Sequence, residues 1–258
     1  MKKILYNFLY WGTKESGIYR IGFNILKHLS KITQNKIYCI TNYYDEIKFA
    51  NNNLELIPQD FTTNNKIFIA LEAQIYLIQA LKKIKPSLIF NPFHYGLFLK
   101  NINQISIIHD LIPFTVFKKR LSTYVYHKFF LYHLINNSRY IITPSNSTKE
   151  DLVKFLNINK EKIKIIYWGV EEIFTKRDLQ KENFYLAVNA TFPYKNIDFL
   201  IKVWKFLGVK EKLIIIGHHP KFIRYHNFLK ELVKKFNLED KIEFLPKVSD
   251  EELVELYN

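Results

Sequence analysis

Two histidines close apparent strands: His94, in NPFHYG, follows the apolar run 88–91, and His109 ends the run 105–109 with Asp110 directly after it. Parallel α/β sheets place their chemistry at strand carboxyl ends, so both rings are well located. A histidine there can serve a reaction, or it can be a structural residue donating to a backbone carbonyl. The His109-Asp110 pair suggests a metal phosphohydrolase, but that chemistry needs further histidine and aspartate ligands on helices, and metal binding is set aside. His218 and His219 have no third ligand in sequence reach and read as loop residues. Gly12 and Gly17 lie between a first strand and a helix start, where unpaired amides can hold an anion. A plain strand-to-helix turn would look the same.

The bulk properties bound what such residues can serve. A chain of 258 residues, 48% hydrophobic and 16% aromatic, forms one large or two ordinary folded domains. Its single cysteine, Cys39, lies within an apparent strand and excludes an intramolecular disulfide or a cysteine cluster; a reducing cytoplasm fits. The opening MKKILYNFLYW is apolar but short, is interrupted by Asn7, and reads as a buried strand instead of a signal peptide. No apolar run is long enough to span a bilayer. The net charge of +14 asks for a negative partner: nucleic acid, an anionic membrane surface or a phosphorylated small molecule.

The elements that would position these groups alternate strand and helix. Strands are expected at 3–10, 36–42, 54–58, 88–91, 105–109, 140–143 and 163–167. The first helix begins near Gly17, with a stripe of Ile18, Ile21, Ile25, Leu29 and Ile32; a second, late in 62–85, sets Leu71, Ile75, Ile78 and Leu81 on one side. Ser147 and Glu150 stand in capping-box register before a helix at 149–156. A polar segment, 171–182, reads as a hinge between a domain at 1–170 and a second at 183–258. The second opens with strand 184–188 and the loop NATFPYKN, continues through a helix with Ile197, Leu200, Ile201, Trp204 and Leu207 as its stripe, and ends in a capping box, Ser249 to Glu252. Three strands with two and a half helices make only about half of a doubly wound domain.

One stretch has a distinct composition. From 111 to 149 there is no Asp or Glu, while Lys118, Lys119, Arg120, Lys128, Arg139 and Lys149 interleave with Phe117, Tyr124, Tyr126, Phe129, Phe130 and Tyr132. Such a helix suits a membrane interface, single-stranded nucleic acid, or packing with a solvated basic face. Nucleic acid is not expected, because the positive residues are spread along the chain and no binding module appears.

SGIYRIGFNIL, IIHDLIPF, IITPSNSTKEDLVKFLNINKEKIKIIYWGVEEIF, PYKN and DKIEFLPKVSDEELVELYN occur in this order, and together they resemble the family 4 glycosyltransferases. The resemblance covers the whole chain and implies an α/β, GT-B architecture of two Rossmann-like domains facing across a cleft, the second about half present. It implies a retaining enzyme without metal or cofactor. The sugar would pass from a nucleotide-sugar to a glycan or lipid-linked acceptor in cell-surface polysaccharide assembly, in the cytoplasm and on the inner face of an anionic membrane surface. By the same resemblance His109 reaches a hydroxyl of the transferred sugar, Gly17 brings backbone close to the donor, Lys195 and Asn196 meet its diphosphate, and Lys247 and Val248 hold the nucleobase. There are departures. Tyr194 stands where the family usually has arginine, Asn189 or Ala190 where it often has glycine or arginine, and Tyr19 replaces the second loop glycine, which would obstruct backbone approach. The family's two glutamates, separated by seven intervening residues, would fall beyond Asn258, so the alternative is a truncated, inactive GT-B fragment with at most a binding role.

Overall fold

The computed structural model describes residues 1–14, 16–49, 51–115, 121–178, 182–188, 192–217 and 222–258, and only the backbone of 113, 115 and 121–127. Contacts divide the chain into two compact units, Met1–Trp168 and Gly169–Asn258.

The first unit is a parallel sheet with helices on both faces. Its strands are β1 (Lys3–Phe8), β2 (Lys36–Thr41), β3 (Leu54–Pro58), β4 (Leu88–Asn91), β5 (Gln104–Ile107), β6 (Tyr140–Thr143) and β7 (Ile163–Ile165). Its helices are α1 (Gly17–Ile32), α2 (Lys66–Ile84), α3 (Ile112–Thr115), α4 (Leu121–Asn137) and α5 (Asn146–Leu156). The order β3-β2-β1-β4-β5-β6-β7 reverses direction between β1 and β4. That reversal opens a crevice beyond the carboxyl ends of those strands, the usual binding position in such sheets.

In the first unit two helix faces and one helix cap differ from the sequence pattern. In α1 the buried line is Tyr19, Gly22, Leu26 and Ser30, one step from the isoleucine stripe, and Ile32 is exposed. The rings of Phe8 and Phe93 fill the space beneath this helix, and a Cβ on Gly22 would lie 2.9 Å from both. In α2 the buried line is Ile69, Ala70, Ala73, Leu77, Ala80 and Ile84, whereas Leu71 and Ile75 face outward. Alanines let the helix lie close on the sheet, and an apolar pattern all round gave periodicity no means of choosing a face. The cap of α5 is Ser145, whose Oγ accepts from Thr148 N at 3.1 Å, so Ser147 and Glu150 form no capping box.

A buried polar chain crosses the middle of this unit. Asn7 Nδ2 donates to Asn91 Oδ1 (3.0 Å) and Tyr95 O (2.8 Å). Asn91 Nδ2 donates to Gln104 Oε1 (3.0 Å) and Ser106 Oγ (2.9 Å), and Ser106 meets Ser138 Oγ at 2.8 Å. Gln104 also accepts from Leu97 N (3.2 Å) and donates to Leu97 O (2.8 Å). Thus β1, β4 and β5 hold the loop 92–98 against the sheet.

The second unit holds β8 (Phe184–Ala187), β9 (Lys212–Ile216) and β10 (Ile242–Leu245) in the parallel order β10-β9-β8, with α6 (Ile197–Leu207), α7 (Ile223–Lys235) and α8 (Asp250–Tyr257). Ile201, Trp204, Leu229 and Val233 pack on Leu213 and Ile215 of β9, but Leu207, the expected end of the α6 stripe, is exposed. The Ser249–Glu252 capping box forms as expected. Asn258 donates to Thr175 O at 3.2 Å and accepts from Arg177 N, fastening the segment after Gly169 to the end of α8. Among the described residues no helix is long and apolar enough to cross a membrane.

Replacing Asn91 by alanine would strip partners from Asn7, Gln104 and Ser106, all of them buried. The first unit should lose about 1 to 3 kcal/mol, read as a lower urea midpoint at unchanged slope. A midpoint matching that of the exposed Lys83→Ala would show the polar chain to be dispensable.

Candidate functional site

His109 follows β5 at the carboxyl end of the sheet and is buried. Its Nε2 lies 2.8 Å from the carbonyl oxygen of Pro92, at the end of β4. A carbonyl can only accept, so Nε2 carries the proton and Nδ1 keeps a lone pair. Nδ1 is buried and has no hydrogen-bond partner among the described residues. Burial depresses the pKa of the imidazole below the usual histidine value, while the Pro92 hydrogen bond and the charge of Asp110 pull the other way without prevailing. The ring is therefore neutral at pH 7. Asp110 is exposed, and its Oδ1 accepts from Ile112 N at 3.0 Å at the start of α3. The indole of Trp168 stands 5.7 Å from the imidazole centroid.

At the same end of the sheet, the loop after β1 is tied to the residues that follow β2. Tyr10 and Asn42 exchange two bonds, Tyr10 N to Oδ1 (2.9 Å) and Nδ2 to Tyr10 O (2.8 Å), and Tyr43 OH donates to Gly12 O at 2.7 Å. Gly12 lies over the Tyr10 ring, where a Cβ would fall 2.2 Å from the hydroxyl oxygen. Ser16 caps α1 by accepting from Tyr19 N (3.1 Å), and Tyr10 OH meets its Oγ at 2.7 Å. Gly17 then begins the helix exposed, with no atom of the described residues within 4 Å of where a Cβ would be. Tyr19 does not obstruct this start. Its ring is buried 5.3 Å from Phe8 and 4.9 Å from Tyr43, and burial, with Glu46 and Tyr43 nearby, pushes its hydroxyl up to about 12.

In the second unit Lys195 ends a short helical turn, Pro193–Lys195, and is exposed. Asn196, at φ 58°, turns the chain into α6 in the left-handed region that asparagine tolerates. The ammonium of Lys195 lies 5.5 Å above the Tyr194 ring, which stacks on Phe192 at 5.2 Å. Lys247 and Val248 line a different place, a cavity of about 910 Å³ between β8 and α8, walled by Phe184, Leu186, Glu252 and Glu255. Lys195 and Asn196 are not among its walls. Asn189, Ala190, His218, His219 and 117–120 lie outside the described residues, as do the side chains of Tyr124 and Tyr126.

Sequence reasoning missed Pro92, whose carbonyl selects the tautomer, and Trp168, which stands beside the ring. Asn7 left a visible signal as a polar interruption in an apolar strand. The carbonyl of Pro92 left none, because any residue supplies one.

The family description Glycosyltransferase Family 4 matches residues 17–172, and Glycosyl transferases group 1 matches 169–258. The chain is 33% identical over 156 residues to the O-antigen chain mannosyltransferase RfbU of Salmonella typhimurium; this covers 60% of the chain and 43% of that protein. Among solved structures, Anabaena Alr3699/HepE in complex with UDP is similar at TM-score 0.70 and 14% identity, over 97% of this chain and 70% of that one. WaaG, a glycosyltransferase involved in lipopolysaccharide biosynthesis, is similar at TM-score 0.65 and 14% identity, over 98% and 72% of the two chains. These structural likenesses establish the GT-B fold.

With the folded histidine below its unfolded pKa, the unfolded chain binds more protons as pH falls. Stability from His109 is thus complete above the ordinary histidine range and is lost as pH drops through the folded value. Nitrogen-15 NMR should show an unprotonated Nδ1 at pH 7 and a titration midpoint below about 6.5. A proton on Nδ1, or a midpoint at or above that of a free histidine, would overturn the assignment.

Proposed function

The chain belongs to the family 4 glycosyltransferases, and from that membership we propose that it transfers a sugar from a nucleotide-sugar to a glycan or lipid-linked acceptor during cell-surface polysaccharide assembly. The observation that carries the reading is His109: neutral, oriented by Pro92 and holding a bare lone pair at the carboxyl edge of the sheet. Such a nitrogen accepts a hydrogen bond from a sugar hydroxyl and fixes the ring without protonating it. A structural relative bound to UDP and a sequence relative named as a mannosyltransferase support a nucleotide-hexose donor.

The proposed reaction needs no protein nucleophile. The bond from the anomeric carbon to the diphosphate oxygen breaks, and the acceptor oxygen bonds to that carbon on the same face. The acceptor's proton passes to the departing diphosphate oxygen, and configuration is retained. Negative charge grows on the leaving group, and cations with amide donors stabilise it. Lys195 is the cation for that role, with the amide start of α6 at Asn196 beside it; its exposure leaves the ammonium able to reach a phosphate. The open start of α1 at Gly17 offers donors to the sugar and its phosphate. Lys247 and Val248, on the wall of the second unit's cavity, are assigned to the nucleobase. This reading operates without a metal ion or cofactor, in the cytoplasm, with an anionic membrane as the surface on which a lipid-linked acceptor is met.

Lys195→Ala should weaken nucleotide-sugar binding about 10-fold or more, the cost of losing a charged hydrogen bond, and lower turnover with it. His109→Ala should cut turnover and leave nucleotide affinity nearly intact. Sugar transfer from a donor panel together with calorimetric titration of the nucleotide reads both. Parental rates in both variants would remove the roles assigned here.

A further inference from the structure

The outward side of α2 carries an apolar row that the fold leaves uncovered. Ile67, Phe68, Leu71 and Ile75 are each more than half exposed. The row continues onto a second element. Gln74 of α2 donates to Gly96 O (2.9 Å) and accepts from Phe98 N (2.9 Å), which holds the loop 96–100 beside it with Leu99 exposed. A third element follows: Phe98 meets Phe129 at 6.1 Å and His133 at 5.2 Å, and Phe129 and Tyr132 of α4 are themselves more than half exposed. Lysines frame this surface. Lys82 lies on the same helical line as Leu71 and Ile75, Lys66 and Lys83 stand at the two ends of α2, and Lys100 and Lys128 are exposed on the loop and α4. The acidic side chain on α2, Glu72, is turned aside and holds Thr62 through its backbone amide (3.0 Å) and its hydroxyl.

We propose that this face of α2, the loop 96–100 and α4 is a docking surface for an anionic lipid bilayer, with the apolar row entering the headgroup boundary and the lysines meeting lipid phosphates. The inference rests on the membrane-linked acceptor of the preceding reading and names the surface that meets the membrane. Large exposed apolar side chains in a continuous patch mark an interaction surface. The charge selects the occupant. A second copy docked about a two-fold axis would set this lysine-framed face against an identical one, in a chain already at +14. An anionic bilayer instead gains from every one of them. The placement also has a use. The loop that ends in Leu99 and Lys100 begins at Pro92, the residue that orients His109, so a bilayer held here would lie on the same loop that supports the reacting end of the unit.

The test is sedimentation of the full chain with large unilamellar vesicles of phosphatidylcholine alone or mixed with phosphatidylglycerol. The chain should pellet with the mixed vesicles, less as salt rises, and not with the neutral ones. Leu71→Gln with Ile75→Gln should weaken binding about tenfold or more; both sites are exposed, so circular dichroism should be unchanged. Lys82→Glu, Lys100→Glu and Lys128→Glu should each weaken it about fivefold or more. Equal sedimentation with both vesicle types, or native-like binding by the apolar double variant, would overturn the surface. A dimer in velocity sedimentation that the double variant abolishes, without vesicle binding, would give the face to a second copy and overturn it too. Titrating the same protein with a panel of nucleoside diphosphates separates the two readings: vesicle binding with no nucleotide bound leaves the surface standing and removes the transferase.

Discussion

Buried amides that water cannot reach must find one another, and in the first unit that requirement decides where the site lies. Asn7, Asn91 and Gln104 are almost completely enclosed; Asn91 links the other two, Asn7 holds the carbonyl of Tyr95, and Gln104 holds the backbone of Leu97. Each of these bonds adds little net stability, but leaving one unmade in a dry interior costs much more. The loop 92–98 consequently has few alternatives. Gly96 tightens it further, since a Cβ there would fall 2.4 Å from Leu134 and 2.7 Å from the Asn91 amide nitrogen.

The consequence reaches the imidazole through one carbonyl. With the loop held, Pro92 O points at His109 Nε2, and the proton has to reside on that nitrogen. Burial then keeps the ring uncharged. Orientation, tautomer and charge state thus descend from packing decisions made two strands away, and none needs an acidic partner beside the ring. The adjacent acid, Asp110, accepts from Ile112 N at the start of the next helical turn.

The alternation of strand and helix was legible because parallel strands buried on both faces are short apolar runs, and 54–58, 88–91 and 140–143 emerge with the boundaries expected of them. Helix faces were less legible. A helix whose hidden side mixes alanine with larger residues, as α2 does with Ala70, Ala73 and Ala80, can leave Leu71 and Ile75 in solvent where periodicity expects the core. Ser147 had the right spacing for a cap, but Ser145 lay two residues earlier with the same chemistry and the extended backbone a cap requires. In the candidate site, His109 was visible as a polar residue closing a strand. Its tautomer was not, since a backbone carbonyl 17 residues away in sequence decides it. Tyr19 likewise looked like an obstruction until its ring was seen to turn inward among Phe8, Tyr10 and Tyr43.

The lone cysteine of the chain, Cys39, sits fully enclosed in β2, and burial pushes its thiol far above the ordinary range. The reactive form of a cysteine is the thiolate, so this sulfur is silent toward alkylating dyes while the fold persists. The native chain is in that sense a blank background: a single cysteine introduced at any exposed position would carry a fluorophore or spin label alone, without first removing the residue that nature placed there. The same sulfur becomes a clock when the sheet opens, because its labelling rate would then report how often β2 leaves its neighbours.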